Sequence, residues 1–337
     1  MGEAGDGVEW NRRAKGAAVA AVVLVVGGVT WGVVGQPEDP LRGSCRGSLA
    51  VDEASGFYGG AELESRGHTG EWVGHEVEYC SVWARDEEDG AVLRLQIRPS
   101  AAHRASGAAD EAAAAPIGYG WNGSFVVRDR PEAAVLVDCA PLAGKGLLVL
   151  AEATEDAEEL SRAQVLGVAR LATETARRAA ERFGCEGTLG RRPDTVDTTR
   201  ATERPAAEAR ETCRGVVGPR SAEVLGIATV HEYPAGALTE ECDVHLRDHR
   251  MRVNAYYGPS AIQETYLDER YPGSVDGIVT RSRTCPGALG TAYFKATPPR
   301  LPDGGAAPLT GPEREAVDQI LASFAEASGD RHGCAEG

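Results

Sequence analysis

The sequence predicts an α+β fold: an N-terminal transmembrane helix followed by two similar disulfide-stapled domains, each an antiparallel sheet packed against helices. Three observations predict it. An uncharged apolar run fills positions 16–35; eight cysteines, all beyond it, fall into two groups of four with related surroundings; and each group carries a succession of alternating strand patterns closed by an amphipathic helix.

The apolar run reads GAAVAAVVLVVGGVTWGVVG. As a helix rising about 1.5 Å per residue it spans roughly 30 Å, the thickness of a bilayer core. Arg12, Arg13 and Lys15 precede it, and Glu38 and Asp39 follow. The positive-inside rule therefore predicts a cytoplasmic tail of residues 1–15, a span of 16–35 in contact with the lipid bilayer, and everything beyond Gly35 outside a single-pass cell-membrane protein. A cleaved leader is the alternative, although the run exceeds the roughly 7–15 apolar residues of a signal peptide.

The eight cysteines, Cys45, Cys80, Cys139, Cys185, Cys213, Cys242, Cys285 and Cys334, are even in number and would face an oxidising compartment, so disulfides are expected. Their surroundings recur in order. Cys45-Arg46-Gly47 returns as Cys213-Arg214-Gly215, and the stretch from Glu78 to Asp86 around Cys80 returns from Glu240 to Asp248 around Cys242. Pro99-Ser100-Ala101 is matched by Pro259-Ser260-Ala261, and Gly184-Cys185 by Gly333-Cys334. An internal duplication follows, with a spacer at 36–44, one domain at 45–186, a linker at 187–212 and a second domain at 213–337. Residues 187–212 hold no aromatic and few apolar side chains, too little surface to offset the entropy of ordering them.

Within each copy the second cysteine opens a hairpin. Ser81–Arg85 and Ala91–Arg98 flank an Asp-Gly turn, and Leu93, Leu95 and Ile97 alternate with Arg94, Gln96 and Arg98. Asp243–Arg247 and Arg250–Tyr257 repeat the pattern. Further strands are expected at Ser124–Arg128 or Ala134–Asp138, matched by Gly277–Arg281, and at Gly146–Ala151, matched by Thr291–Ala296. Short helices are expected at Val51–Ser55 and Ser221–Leu225. A closing helix opens at Asp156-x-x-Glu159 in the first copy. In the second it opens at the capping box Thr310-x-x-Glu313 and stops at Gly329. Helices gathered on one face of each sheet complete the α+β class. Because the terminal helix must return across the sheet, local pairing is expected: Cys45–Cys80, Cys139–Cys185, Cys213–Cys242 and Cys285–Cys334.

Chemistry is sparse. With Lys+Arg 35 against Asp+Glu 51 the net charge is −16, which argues against nucleic acid as a partner. Hydrophobic residues at 42 % exclude a wholly disordered chain. Neither a G-x-S-x-G elbow, a phosphate-cradling G-x-x-x-x-G-K-[ST] nor a Cys-x-x-Cys occurs, and no cofactor is expected. His245 and His249, near Asp243 and Asp248, match neither a zinc spacing nor a calcium loop, and no metal site is expected. Ser100 and Ser260 read as turn residues rather than nucleophiles. The loop bearing Tyr119, Trp121 and Asn122 is the candidate binding surface, since loop aromatics anchor partners.

With Cys80-Ser81-Val82-Trp83 resembling the Cys-x-Trp-type turns of exported domains, the chain is similar to membrane-anchored extracytoplasmic proteins of actinobacteria with disulfide-bonded α+β domains. That resemblance is architectural and implies no catalytic residue. The expectation is a non-catalytic, membrane-anchored extracellular binding or scaffolding protein with a cell-envelope or protein partner. The alternative is a cell-envelope hydrolase using acidic residues such as Asp86 or Asp248.

Overall fold

Apolar side chains at every second position place one face of a strand in a core, and the first half of the chain repeats this on several strands. In the computed structural model of the protein, residues 41, 43–85, 90–102, 114–199, 201–247, 249–271, 277–299 and 308–335 are described. The first half contains α1 (Val51–Phe57), β1 (Leu63–Trp72), β2 (His75–Ala84), β3 (Leu93–Pro99), β4 (Ala115–Pro116), β5 (Asn122–Val127), β6 (Pro131–Asp138), β7 (Gly146–Ala153) and α2 (Arg162–Phe183). The second contains β8 (Thr202–Pro205), α3 (Pro219–Leu225), β9 (Ile227–Glu232), β10 (Thr239–Leu246), β11 (His249–Tyr256), α4 (Pro259–Arg270), β12 (Val279–Thr284), β13 (Thr291–Thr297) and α5 (Gly311–Arg331). The architecture is α+β, with two antiparallel sheets ordered β1-β2-β3-β7-β6-β5-β4 and β12-β13-β11-β10-β9-β8.

Four disulfides staple these elements, in the pairing expected: Cys45–Cys80, Cys139–Cys185, Cys213–Cys242 and Cys285–Cys334. The segment 16–35 lies outside the described residues; among those described, no helix is long and apolar enough to cross a membrane.

Several elements differ from expectation. β1 has no counterpart in the sequence reading because its side chains are mostly polar and exposed, and only Leu63 is buried. Its order comes from pairing along the whole length of β2 through a two-residue turn in which Val73 and Gly74 both have positive φ. Both alternatives for the third strand of the first half form, as β5 and β6. α2 starts later than Asp156: Ser161 caps it, exchanging hydrogen bonds with Gln164 in a capping box. At its other end Gly184, in the left-handed conformation, closes the helix. α5 has the expected Thr310–Glu313 box but runs through Gly329 to Arg331. Gly329 is buried inside that helix, where the Arg283 guanidinium occupies the space a Cβ would fill.

Helices do not keep to one face of the second sheet. Phe294 of β13 meets Phe324 of α5 edge-to-face, while its neighbours on the opposite face bind α4: the Tyr293 hydroxyl donates to Asp268, and Lys295 pairs with Glu264 and Asp268. Pro259-Ser260-Ala261 opens α4, whereas Pro99-Ser100-Ala101 ends β3 in a turn.

Alternation on β6 and β7 splits the first sheet between two cores. Val135, Val137, Leu147 and Val149 pack with α2, whose Ala169, Ala172, Ala176 and Ala179 permit close approach. Ala134, Leu136, Leu148 and Leu150 face the other way, into a core shared with Leu238, Tyr257 and Ala288 of the second half. Across that junction the Leu238 amide donates to Ser124 Oγ (2.7 Å) and the Ala288 amide to Asp138 Oδ1 (2.6 Å). Residues 41–337 accordingly form one compact unit.

The stretch 187–212, read as a linker, is attached at both ends. Its first part lies on the first half, with Arg170 donating to the Pro193 carbonyl and Arg177 to the Gly190 carbonyl. Its later part contributes β8, which pairs with β9. Leu189 and Val196 pack against the first core and Arg192 pairs with Glu53, so a few apolar side chains, backbone groups and one ion pair suffice to hold a stretch of largely polar composition.

Candidate functional site

Where the halves meet, a cleft of about 670 Å³ opens. Its apolar floor is built from β5 (Phe125, Val126, Val127), its walls from the loop before α2 and from 197–199 with Ala201, and Tyr233 closes the side belonging to the second half. Among the described residues the rim carries five exposed carboxylates, Asp129, Asp156, Glu158, Glu159 and Asp197, and one cation, Arg128. Glu159 is raised above the ordinary carboxylate range by its hydrogen bond with Glu155 and that neighbour's charge. The Tyr233 hydroxyl is pushed up to about 12 by burial and by the charges of Glu241 and Asp243. Crowded carboxylates of this kind create a negative potential that attracts cations.

The loop of Tyr119, Trp121 and Asn122 is spent differently. Trp121 is buried, and its Nε1–H donates to the Arg191 carbonyl (2.8 Å). Arg177 stacks over the indole at 5.5 Å. A Cβ at Gly190 would fall within the indole ring itself, so only glycine allows the chain this close. The Tyr119 hydroxyl accepts from the Thr195 amide (3.0 Å), and Arg191 lies over its ring. The two aromatics thus clamp residues 190–195, and Asn122 alone of the three is exposed, at the start of β5.

Buried carboxylates are the second source of chemistry. Glu78 takes a bidentate contact from Arg182, and Glu240 is bound by Arg331, Ser328 and His332. Glu232 accepts from the Arg210 and Glu211 amides and pairs with Arg204. Asn254 donates to Glu241, and Arg250 to Asp243. Each of the five is committed to a named partner, and none lines the cleft. Asp86 and Asp248, the acids named for a hydrolase, lie outside the described residues. Ser100 is buried and donates to the Gly144 carbonyl, a turn contact.

The face of the second sheet that carries α4 also carries, toward the β8 edge, what spacing concealed. Glu203, His231, Asp243 and Arg252 are successive ladder partners across β8, β9, β10 and β11. Ladder partners project to the same face, so these charged groups form one row. His245 meets His231, ring centroids 4.3 Å apart, rather than His249. Burial pushes Asp243 up despite Arg250 and Arg252, and burial together with the His231 charge pushes His245 down. Glu203 and His231 escaped the sequence reading because they sit on different strands, with no local motif between them.

No family model matches the chain, and no curated protein or solved structure matches it.

Proposed function

We propose that the protein is a membrane-anchored, extracytoplasmic binding protein, its two halves being copies of one domain, that holds a cationic ligand such as a basic peptide segment in the cleft between them. The observation that carries this reading is the cleft itself: an apolar floor under a rim of five carboxylates, formed at the junction of the halves. Burial of aliphatic stems on Phe125, Val126 and Val127 with cationic ends at the rim suits a Lys- or Arg-bearing segment. Among the described residues, each buried carboxylate has a cation or amide donor as partner, which favours binding over acid–base hydrolysis. Four disulfides accord with an oxidising, external environment.

Calorimetric titration of the full chain in detergent with tri-lysine and tri-glutamate tests the ligand class. Binding of tri-lysine alone, weakened at least tenfold by Asp129→Asn/Asp156→Asn/Asp197→Asn and by raised salt, is expected. Equal binding of both peptides, or none of tri-lysine, would overturn it. The orientation is tested by labelling intact cells: Tyr271→Cys, at an exposed position, should react and Glu3→Cys should not.

A further inference from the structure

We propose that Glu203, His231 and His245 form a binding site for a single divalent transition-metal ion, Zn²⁺ by its ligand chemistry, on the face of the second sheet that carries α4, toward its β8 edge. Each residue comes from a different strand: Glu203 from the edge strand β8, His231 from β9 and His245 from β10. Glu203 and His231 are direct ladder partners. His245 falls where β10 shifts register against β9, between Val244 and Leu246, and such irregularities re-aim a side chain.

The distances are close to those of a ligand set. Glu203 Oε2 lies 3.5 Å from His231 Nε2. One ligand atom from each of the three residues lies within 4.8 Å of the others. Tetrahedral ligands at about 2.0–2.2 Å from zinc sit roughly 3.3–3.6 Å apart, so rotation of exposed Glu203 and a small ring movement complete the set. Two imidazoles with one carboxylate suit zinc and its first-row neighbours. Calcium and magnesium prefer all-oxygen shells.

Two atoms on the same face strengthen the case. His245 has Thr229 Oγ1 3.4 Å from its Nδ1, while its Nε2 is buried with no hydrogen-bond partner among the described residues. A ring held through one nitrogen presents the other as a ligand. Asp243, opposite His231 in the ladder and almost fully buried, accepts from Arg250 at Oδ2 and keeps a buried Oδ1 without a hydrogen-bond partner among the described residues. It is the carboxylate placed to orient the His231 ring as a positioning residue. The site belongs to the second half alone. Counting from the second cysteine of each half, Trp83 stands where His245 does, and Arg66 occupies the ladder position of His231. Bound metal would join β8 to β10 across β9.

Titration of the chelator-stripped full chain with Zn²⁺, under non-reducing conditions and in competition with a chromophoric chelator, tests this. One ion per chain is expected, with His231→Gln, His245→Gln and Glu203→Gln each weakening binding at least tenfold and His249→Gln leaving it unchanged. Zinc should also raise the melting temperature of the wild-type chain but not that of Glu203→Gln, whose exposed edge position keeps the fold intact. Absence of stoichiometric binding, or undiminished binding by Glu203→Gln and His231→Gln/His245→Gln, would overturn the proposal.

Discussion

The first and second halves place five strands in the same order: β1-β2-β3-β7-β6 in one sheet and β9-β10-β11-β13-β12 in the other. In both, a glutamate two residues before the second cysteine pairs with an arginine three residues before the fourth: Glu78 with Arg182, and Glu240 with Arg331. Around this common frame the buried polar groups diverge. Arg283 of β12 donates to the carbonyls of Ala325, Glu326, Cys334 and Ala335 and pairs with Asp330. Arg98 of β3 is also buried, yet none of its guanidinium nitrogens has a hydrogen-bond partner among the described residues, and it stacks on Trp72 at 4.9 Å. Burial lowers its pKa to about 10. The cystine and ion-pair frame is held in common, while the polar interior of each half is set by local partners.

The largest effect expected tests the common part. Cys139→Ala/Cys185→Ala and Cys285→Ala/Cys334→Ala remove loops of nearly equal sequence separation, 46 and 49. Each should cost about 4 kcal/mol of stability in urea unfolding. A difference above about 2 kcal/mol would break the equivalence of the two staples, since loop length alone predicts almost none.

The buried arginines should separate the halves next. Arg283→Met strands four carbonyls and is expected to cost about 3 kcal/mol. Arg98→Met replaces an unpaired buried charge by an apolar side chain of similar length and should raise stability by about 1–3 kcal/mol. Loss of stability in both variants would show that Arg98 has a partner of equal weight.

Acid should act through Glu240. Burial pushes its pKa up, but the His332 hydrogen bond and the Arg331 charge outweigh that and hold it at about 2. A carboxyl lower in the folded than in the unfolded state stabilises above its unfolded value, and that contribution disappears as pH falls through the folded one. Stability on the order of 3 kcal/mol should therefore be lost between about pH 5 and pH 2, and Glu240→Gln should remove this part of the acid sensitivity while lowering stability at neutral pH. An unchanged pH profile in Glu240→Gln would contradict it.

The smallest effect concerns the terminal helices, where the halves should agree. Ser161→Ala and Thr310→Ala each remove an N-cap that accepts from the third helical residue, and each should cost about 1 kcal/mol in thermal or urea unfolding. A several-fold disparity would show that one helix is held by its packing alone.

Legibility in the sequence followed locality. All four cystine pairings join neighbours in cysteine order, so strand and helix patterns sufficed to find them. The Thr310–Glu313 box was visible because a cap is a four-residue motif, whereas Asp156-x-x-Glu159 has the same form and caps nothing. β1 was hidden by its polar edge character, and the attachment of 187–199 by partners on other elements, among them Arg170, Arg177 and Glu53. Trp121 looked available because its partner, the Arg191 carbonyl, is no side chain. Glu203, His231 and His245 converge only through strand pairing, which no spacing rule expresses. The cleft, likewise, exists only once the two halves are packed.

The four cystines also have a mechanical consequence. Their loops follow one another without overlap, with sequence separations of 35, 46, 29 and 49. Tension applied between residues 45 and 334 would draw out only the chain between the loops, roughly half of the residues from Cys45 to Cys334. Even fully unravelled, the molecule would be a tether with a built-in stop, its reach limited to about half the contour of a cystine-free chain.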